Sequence, residues 1–348
     1  MTKAIHLIVP APFTAISGGY IYDRRMVEGL SALGQEVRVV ELAGRHPFPD
    51  DAASEAARAA LAEIPAGARM VIDGLGLPAF LPFADQLTKR DATALIHHPT
   101  ALELGAPEGQ REALKAAERV LFSACARIIT TSTPTARNLP EGFGVDPARI
   151  TVIEPGTDPA PRAVGSAGPG CAILSVGMLV PRKGHDVLLR ALARLTDLDW
   201  SLAIAGDATR DPVHADGLRA LAAELGIAQR VRFLGALPDA ALDAEYARAD
   251  LFALATHYEG YGMAAAEAMA RGLPLAITSG GAIADIVPED AAVVAAVDDH
   301  NALSRAMRRP IFDKGLRADM AEASWRAGQA LPRWPDRAAA FLKALDHG

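Results

Sequence analysis

The sequence predicts an α/β protein of two domains, and three observations carry that prediction. Short β-branched runs alternate with amphipathic segments along the whole chain, the pattern of strands joined by crossover helices. Glycines gather where a strand hands over to a helix, as at Gly18–Gly19 and Gly260–Gly262. The 348 residues exceed what one hydrophobic core usually organises, and the aperiodic stretch RAVGSAGPG (162–170) has the composition of a linker. A domain boundary is therefore expected near 160–170.

The first strand is KAIHLIVP, apolar, β-branched and ended by proline. After Gly18–Gly19, residues Ile21, Met26, Val27, Leu30 and Leu33 keep near-helical spacing up to Gly34, and EVRVVEL follows as a second strand. This is a Rossmann-type βαβ unit without a GxGxxG fingerprint. ASEAARAALAEI reads as helix and ARMVIDGL as a strand ending near Asp73. ATALIHHPTALELG reads as another strand, with His97, His98 and Glu103 at or past its carboxyl end, the edge where such sheets bind ligands. Two adjacent histidines are expected to be neutral hydrogen-bonding partners for a sugar or a phosphate. A metal site is discounted, because neighbours on an extended chain point to opposite sides. EGQREALKAAERVLFSACARIITTS gives a long helix and a strand, and Thr133–Pro134 opens a short helix. On the long helix Arg111, Lys115 and Arg119 alternate with Glu108, Glu112 and Glu118, a solvated face first and a membrane-contact face second.

In the second half, CAILSVGMLVPRKGHDVLLRALARL is strand, loop and helix. Arg182 and Lys183 sit at the helix start, where cations oppose the helix dipole unless an anion binds. WSLAIAGD ends at Gly206–Asp207 on the same sheet edge, VRFLG is the next strand, and ADLFALAT reads as a buried strand. The segment THYEGYGMAAAEAMARGLP then supplies a glycine turn and a helix from Met263, stopped by Gly272 and Pro274. Free N–H groups at that helix start attract an anion. Glu259 in the turn and Glu267 inside the helix are poor neighbours for phosphate and should face neutral hydroxyls. A sugar nucleotide offers both kinds of partner.

Bulk numbers narrow the classes. A net charge of −7 counts against nucleic acid as a partner. No apolar run reaches the roughly 18–20 residues that span a bilayer, so no transmembrane segment is expected, with peripheral membrane contact left open. Pro10, Pro12 and Gly18–Gly19 make the N-terminus a strand feeding a loop rather than a secretion leader. Cys125 and Cys171 lack metal or disulfide spacing and read as reduced. A cytoplasmic location is expected.

Residues 256–274 closely resemble the EGFGLPLLEAMACGLP signature of the retaining GT-B glycosyltransferases of family four, the group 1 glycosyl transferases. The match runs through Glu259, Gly260, Tyr261, Gly262, Glu267, Ala268, Met269, Ala270, Gly272 and Pro274. RITVIEPGTDPAP, GMLVPRKG and LPLAITSGGAIADIVPED resemble further family segments, with Met178 where an arginine is usual. The resemblance implies two facing Rossmann-like domains with an interdomain cleft. They would span 1–165 on the acceptor side and 170–325 for the nucleotide sugar, with a C-terminal helix (326–348) crossing back to the first. It implies transfer of a hexosyl group, with retention, from a nucleoside diphosphate sugar, first of all a UDP-sugar. The acceptor would be a hydroxyl of a glycan, a lipid or a small molecule, and neither metal nor cofactor would be needed.

The same resemblance places Glu259, His97 and Lys183 in catalysis. Donor binding falls to Gly18, Gly19, Arg182, Lys183, the main chain at Leu234, Glu259, Gly260, Tyr261, Gly262, Met263 and Glu267. His98, Gly206 and Asp207 are secondary candidates. The competing readings are a phosphorylase or epimerase on the same fold, and a non-catalytic sugar-nucleotide-binding subunit.

Overall fold

The computed structural model describes residues 3–102 and 107–346, so Glu103 lies outside the described residues. The chain divides into two compact units, Met1–Gly156 with Pro332–Gly348, and Thr157–Leu331.

The first unit holds a six-stranded parallel sheet. Its strands are β1 (Ile5–Pro10), β2 (Val37–Leu42), β3 (Arg69–Asp73), β4 (Thr93–Ile96), β5 (Arg127–Thr130) and β6 (Ile150–Val152). Their order is β2-β1-β3-β4-β5-β6. Strand order thus reverses between β1 and β3, the place where open α/β sheets leave a crevice at their carboxyl ends. Helices α1 (Gly18–Ala32), α2 (Asp51–Glu63), α3 (Ala84–Lys89), α4 (Glu108–Ala124) and α5 (Thr133–Phe143) make the crossovers. Each of three starts where the sequence supplies a cap: Ser17 accepts from Tyr20 N, Asp50 from Ala53 N, and Ser132 from Thr135 N. The core packs Ile8, Ile72, Phe80, Leu121 and Phe122. The strand expected over ATALIHHPTALELG is shorter than its apolar run. Pro99 cannot continue a ladder, and a 3₁₀ turn follows at Thr100–Leu102.

The second unit repeats the plan with β7 (Cys171–Val176), β8 (Trp200–Ala205), β9 (Val231–Gly235), β10 (Leu251–Leu254), β11 (Leu275–Thr278) and β12 (Ala292–Ala295). Their order is β12-β11-β10-β7-β8-β9, with the reversal between β7 and β10. Its helices are α6 (His185–Ala193), α7 (Pro212–Glu224), α8 (Asp239–Arg248), α9 (Met263–Ala270), α10 (Ile283–Ile286), α11 (His300–Phe312) and α12 (Lys314–Ala330). The linker-like stretch is tied into this unit: Ala163 N donates to Arg271 O and Val164 N to Ala247 O, both at 2.8 Å. That is why the division falls at Gly156 rather than in the 160–170 stretch.

The last helix, α13 (Trp334–Asp346), belongs to the first unit. It lies so close to α1 that a Cβ on Gly29 would be 2.5 Å from Ala338 Cβ. Its Trp334 meets Tyr22 edge to face at 5.9 Å. Residues 326–330, expected in this helix, are instead the end of α12, and the break falls at Pro332. No described helix is long and apolar enough to cross a membrane.

Candidate functional site

In the second unit, the loops after β7 and β10 flank the strand-order reversal. After β7 a short 3₁₀ turn, Pro181–Lys183, ends at Gly184, whose φ of +61° favours glycine. A Cβ there would sit 1.9 Å from Ala255 O. The two loops therefore touch through bare backbone, and this approach carries Lys183 to Glu259. The aliphatic stem of Lys183 lies over Gly177, where a Cβ would meet it at 3.1 Å.

Glu259 is 7% exposed, and its Oε1 accepts from Lys183 Nζ at 2.6 Å. Arg182 Nη1 lies 3.7 Å from the same oxygen and donates to Tyr258 O at 2.6 Å. Thr256 Oγ1, with one proton to give, is 3.1 Å from Glu259 Oε1 and 3.0 Å from Arg182 O. The backbone is fixed as well, since Glu259 N donates to Gly280 O and Ala282 N to Glu259 O, both at 2.9 Å. Burial pushes the Glu259 carboxyl up, but Lys183 and Arg182 outweigh it and hold the carboxyl below its ordinary value. Lys183 is lowered, by burial and by the like charge of Arg182, against the pull of Glu259. The asymmetry is physical: Glu259 faces two cations, whereas Lys183 faces one anion and one cation.

Beyond the turn, α9 opens at Gly262, in the left-handed region at φ +106°, with no side chain capping it. One turn in, Glu267 accepts a 3.0 Å hydrogen bond from the buried Tyr246 hydroxyl. Burial raises the Glu267 carboxyl, and Tyr246 and Arg271 offset part of that rise. Tyr246→Phe removes the donor that favours the charged form. The variant is expected to raise the Glu267 pKa and to weaken binding of any hydroxyl ligand held by the carboxylate several-fold, about 1 kcal/mol, read as a dissociation constant.

The remaining second-unit candidates lie along the same sheet edge. Leu234 is on β9, and Gly206 N donates to Gly235 O at 2.9 Å. Gly206 is a packing glycine, since a Cβ there would be 1.8 Å from Gly177 O. Asp207 accepts from Thr209 N and Oγ1, which folds its own loop. His185, not singled out in the sequence, lies 3.2 Å through Nε2 from Gly177 O, and burial lowers its pKa to about 4.

In the first unit the reversal between β1 and β3 gathers Gly18 and Gly19 at the start of α1, Asp23 on α1, Asp73 at the end of β3 and His97 after β4. His97 Nε2 lies 3.2 Å from both Asp23 Oδ1 and Asp73 Oδ2. A Cβ on Gly19 would press on the ring at 3.0 Å, and Tyr22 meets it edge to face at 5.3 Å. Burial lowers the His97 pKa, but the two carboxylates prevail and raise it to about 10. Burial raises Asp23, with His97 opposing, to about 6. The two carboxylates thus favour the charged form of the ring, where the sequence led to a neutral partner being expected. Asp23 and Asp73 were legible only weakly. Asp23 falls four residues after Gly19, on the helix stripe that continues with Met26, Val27 and Leu30, where an unpaired carboxylate would be costly. His98 is half-buried beside this cluster in sequence.

Two family matches adjoin along the chain: "Glycosyltransferase Family 4" over residues 93–161 and "Glycosyl transferases group 1" over 161–326. Together the two matches cover residues 93–326 and place that stretch among the group 1 glycosyl transferases. Among the relatives, D-inositol 3-phosphate glycosyltransferase of Nocardia farcinica is 34% identical over 189 residues, 50% of this chain and 42% of that protein. The Acidothermus cellulolyticus protein of the same name is 30% identical over 246 residues, 65% of this chain and 54% of its own. The chain spans about half the length of the curated relatives it matches. Solved structures establish the GT-B fold of the chain. Sucrose-phosphate synthase from Thermosynechococcus elongatus superposes with a TM-score of 0.83 at 21% identity, over 98% of both chains. Anabaena Alr3699/HepE in complex with UDP-glucose gives 0.79 at 16% identity, over 99% of this chain and 100% of that one.

Proposed function

We propose that this chain transfers a hexosyl group from a nucleoside diphosphate sugar, a UDP-sugar in the first instance, to a hydroxyl acceptor with retained configuration. The observation that carries the reading is the buried Glu259 carboxylate held by Lys183 beside the open start of α9, at the strand-order reversal of the second unit. This arrangement offers cations and main-chain N–H groups to a diphosphate and a carboxylate to sugar hydroxyls. The relatives named for a glycosyl transfer and the neighbour solved with UDP-glucose support it.

In this reading Glu267 accepts from the ribose hydroxyls and Glu259 from those of the donor sugar, with the main chain at Leu234 on the base side. As the anomeric C–O bond breaks, charge gathers on the leaving diphosphate. Lys183, Arg182 and the amides of Tyr261 to Met263 meet it, acting on the transition state more than on the ground state. The acceptor oxygen bonds to the anomeric carbon on the face the diphosphate leaves, and its proton passes to a departing phosphate oxygen. Side chains rather than a metal neutralise the diphosphate. In the first unit Gly18, Gly19, His97 and His98 are the ligand-facing groups at the sheet edge. The buried, unpaired thiols, raised by burial to about 12, accord with a cytoplasmic setting.

The test is thermal shift against UDP-, GDP- and ADP-sugars, followed by donor-consumption assays with the donor that binds. A nucleotide sugar at about 100 times its dissociation constant should stabilise the chain by about 2.7 kcal/mol. No shift with any donor would end the proposal. Met178, in place of the arginine usual in the family, supports a second reading as a non-catalytic binding subunit. Binding without slow donor hydrolysis, across a broad acceptor panel, would favour that reading.

A further inference from the structure

The carboxylate pair around His97 is more than the ring needs for orientation. Asp23 and Asp73 are 1% and 5% exposed, and both meet the same ring nitrogen at 3.2 Å. One neutral imidazole tautomer donates a single N–H from one nitrogen. Two buried carboxylates at that nitrogen are better offset by a ring that carries a full positive charge than by a neutral one. The ring has little freedom to turn away. Gly19 leaves room for it on one side, Tyr22 stands edge-on, and Thr131 Oγ1 donates to the His97 carbonyl at 3.2 Å. Among the described residues, none is bonded to Nδ1, and the His97 side chain is 18% exposed.

We infer that Asp23 is a positioning residue which, with Asp73, holds His97 as an imidazolium whose Nε2 is committed to the protein and whose Nδ1–H is offered outward. The ring then donates to an oxygen of a ligand, a hydroxyl or a phosphate, and cannot remove a proton from one. The inference concerns the free protein and stands whether or not the transferase reading does.

The charged and titratable groups around the ring are few. Asp23 and Tyr22 come from α1 and Asp73 from the end of β3. Arg24, whose Nη1 is spent on Phe13 O and Ala15 O, acts on Asp23 from a distance. Arg337 on α13 acts on Tyr22, whose buried hydroxyl donates to Ile153 O and is raised well above its ordinary value. Tyr22 therefore does not ionise near neutral pH, and Asp23 and Asp73 set the charge of the ring.

The experiment is an NMR titration of the full chain labelled with 15N in its histidine rings, from pH 5 to 10, with the His97 signals assigned by their loss in His97→Gln. The unsubstituted protein should show His97 doubly protonated up to pH 8. Asp23→Asn should lower the midpoint by about one unit or more, whereas Asp23→Glu should hold it within a few tenths. A His97 midpoint near 6.5 in the unsubstituted protein would overturn the inference without recourse to any variant. An unchanged midpoint in a folded Asp23→Asn protein would overturn it too. So would selective broadening of the His97 signals by micromolar Mn²⁺, because the three side chains would then be a cation site rather than an ion pair.

Discussion

Glu259→Gln is expected to lower turnover about 10²–10³-fold while leaving the dissociation constant for the nucleoside diphosphate within a few-fold. The proposed role is to accept hydrogen bonds from donor-sugar hydroxyls, and an amide offers one acceptor and no charge. In the proposed reading the diphosphate meets Lys183 and main-chain groups, which the substitution leaves in place. Stability changes as well. Lys183, with a side chain only 12% exposed, loses its counter-ion, and breaking such a buried pair typically costs about 3–5 kcal/mol. Lys183→Gln should cost a similar amount by stranding Glu259. The double variant should cost less than the two single losses added together, which denaturant unfolding of the three proteins would measure. Unchanged turnover in Glu259→Gln would remove the residue from the mechanism. Additive stability losses would show that the pair is not coupled.

The pH dependence of this contribution has a definite sign. The folded Glu259 carboxyl is held below its unfolded value, so its stabilisation is fully present above the ordinary glutamate range and is lost as pH falls through the depressed folded value. The His97 contribution runs the other way. It is complete below about pH 6.5 and fades as pH rises toward the folded value of about 10.

Gly184→Ala should destabilise the second unit by about 2–6 kcal/mol, the sum of a left-handed backbone strain and a forced separation of two loops. Its Cβ would lie 1.9 Å from the Ala255 carbonyl oxygen, and neither partner is a side chain that can swing aside. The loops would part, carrying Lys183 away from Glu259, so donor binding should weaken together with stability. Gly217→Ala is the matched control in the same unit. Gly217 sits exposed inside α7 with nothing within 4 Å of a Cβ, and alanine there should stabilise by about 0.5–1 kcal/mol. Opposite signs for two glycine-to-alanine changes, measured by denaturant midpoint, would establish that backbone contact rather than composition sets the effect. A mild loss at Gly184 would mean that the loops tolerate separation.

The strand and helix series was legible because both sheets are parallel and their inner strands are buried, so those strands appear as continuous apolar runs between glycine turns. The Glu259 turn was legible for a local reason: all its parts lie within nineteen consecutive residues (256–274). The Asp23–His97–Asp73 cluster was not, because its members come from three separate segments, and only the sheet order brings β1, β3 and β4 side by side. The extent of the last helix was misread for another reason. α12 and α13 have similar composition, and the break between them is only the three residues around Pro332 in a region that otherwise favours helix. Gly184 and Gly206 are a third kind of case, since nothing local distinguishes a glycine that admits a neighbouring carbonyl from one that merely bends a loop.

The interleaving of the two units bears on how the chain is made. Residues 157–331 are contiguous, so the second unit can close its core as soon as that stretch leaves the ribosome. The first unit cannot. The face of α1 beside Gly29, and the Tyr22 ring next to His97, stay uncovered until α13 emerges, after the intervening unit has been synthesised. The half that begins first is therefore finished last, and during that interval its unfinished surface is open to chaperones and proteases.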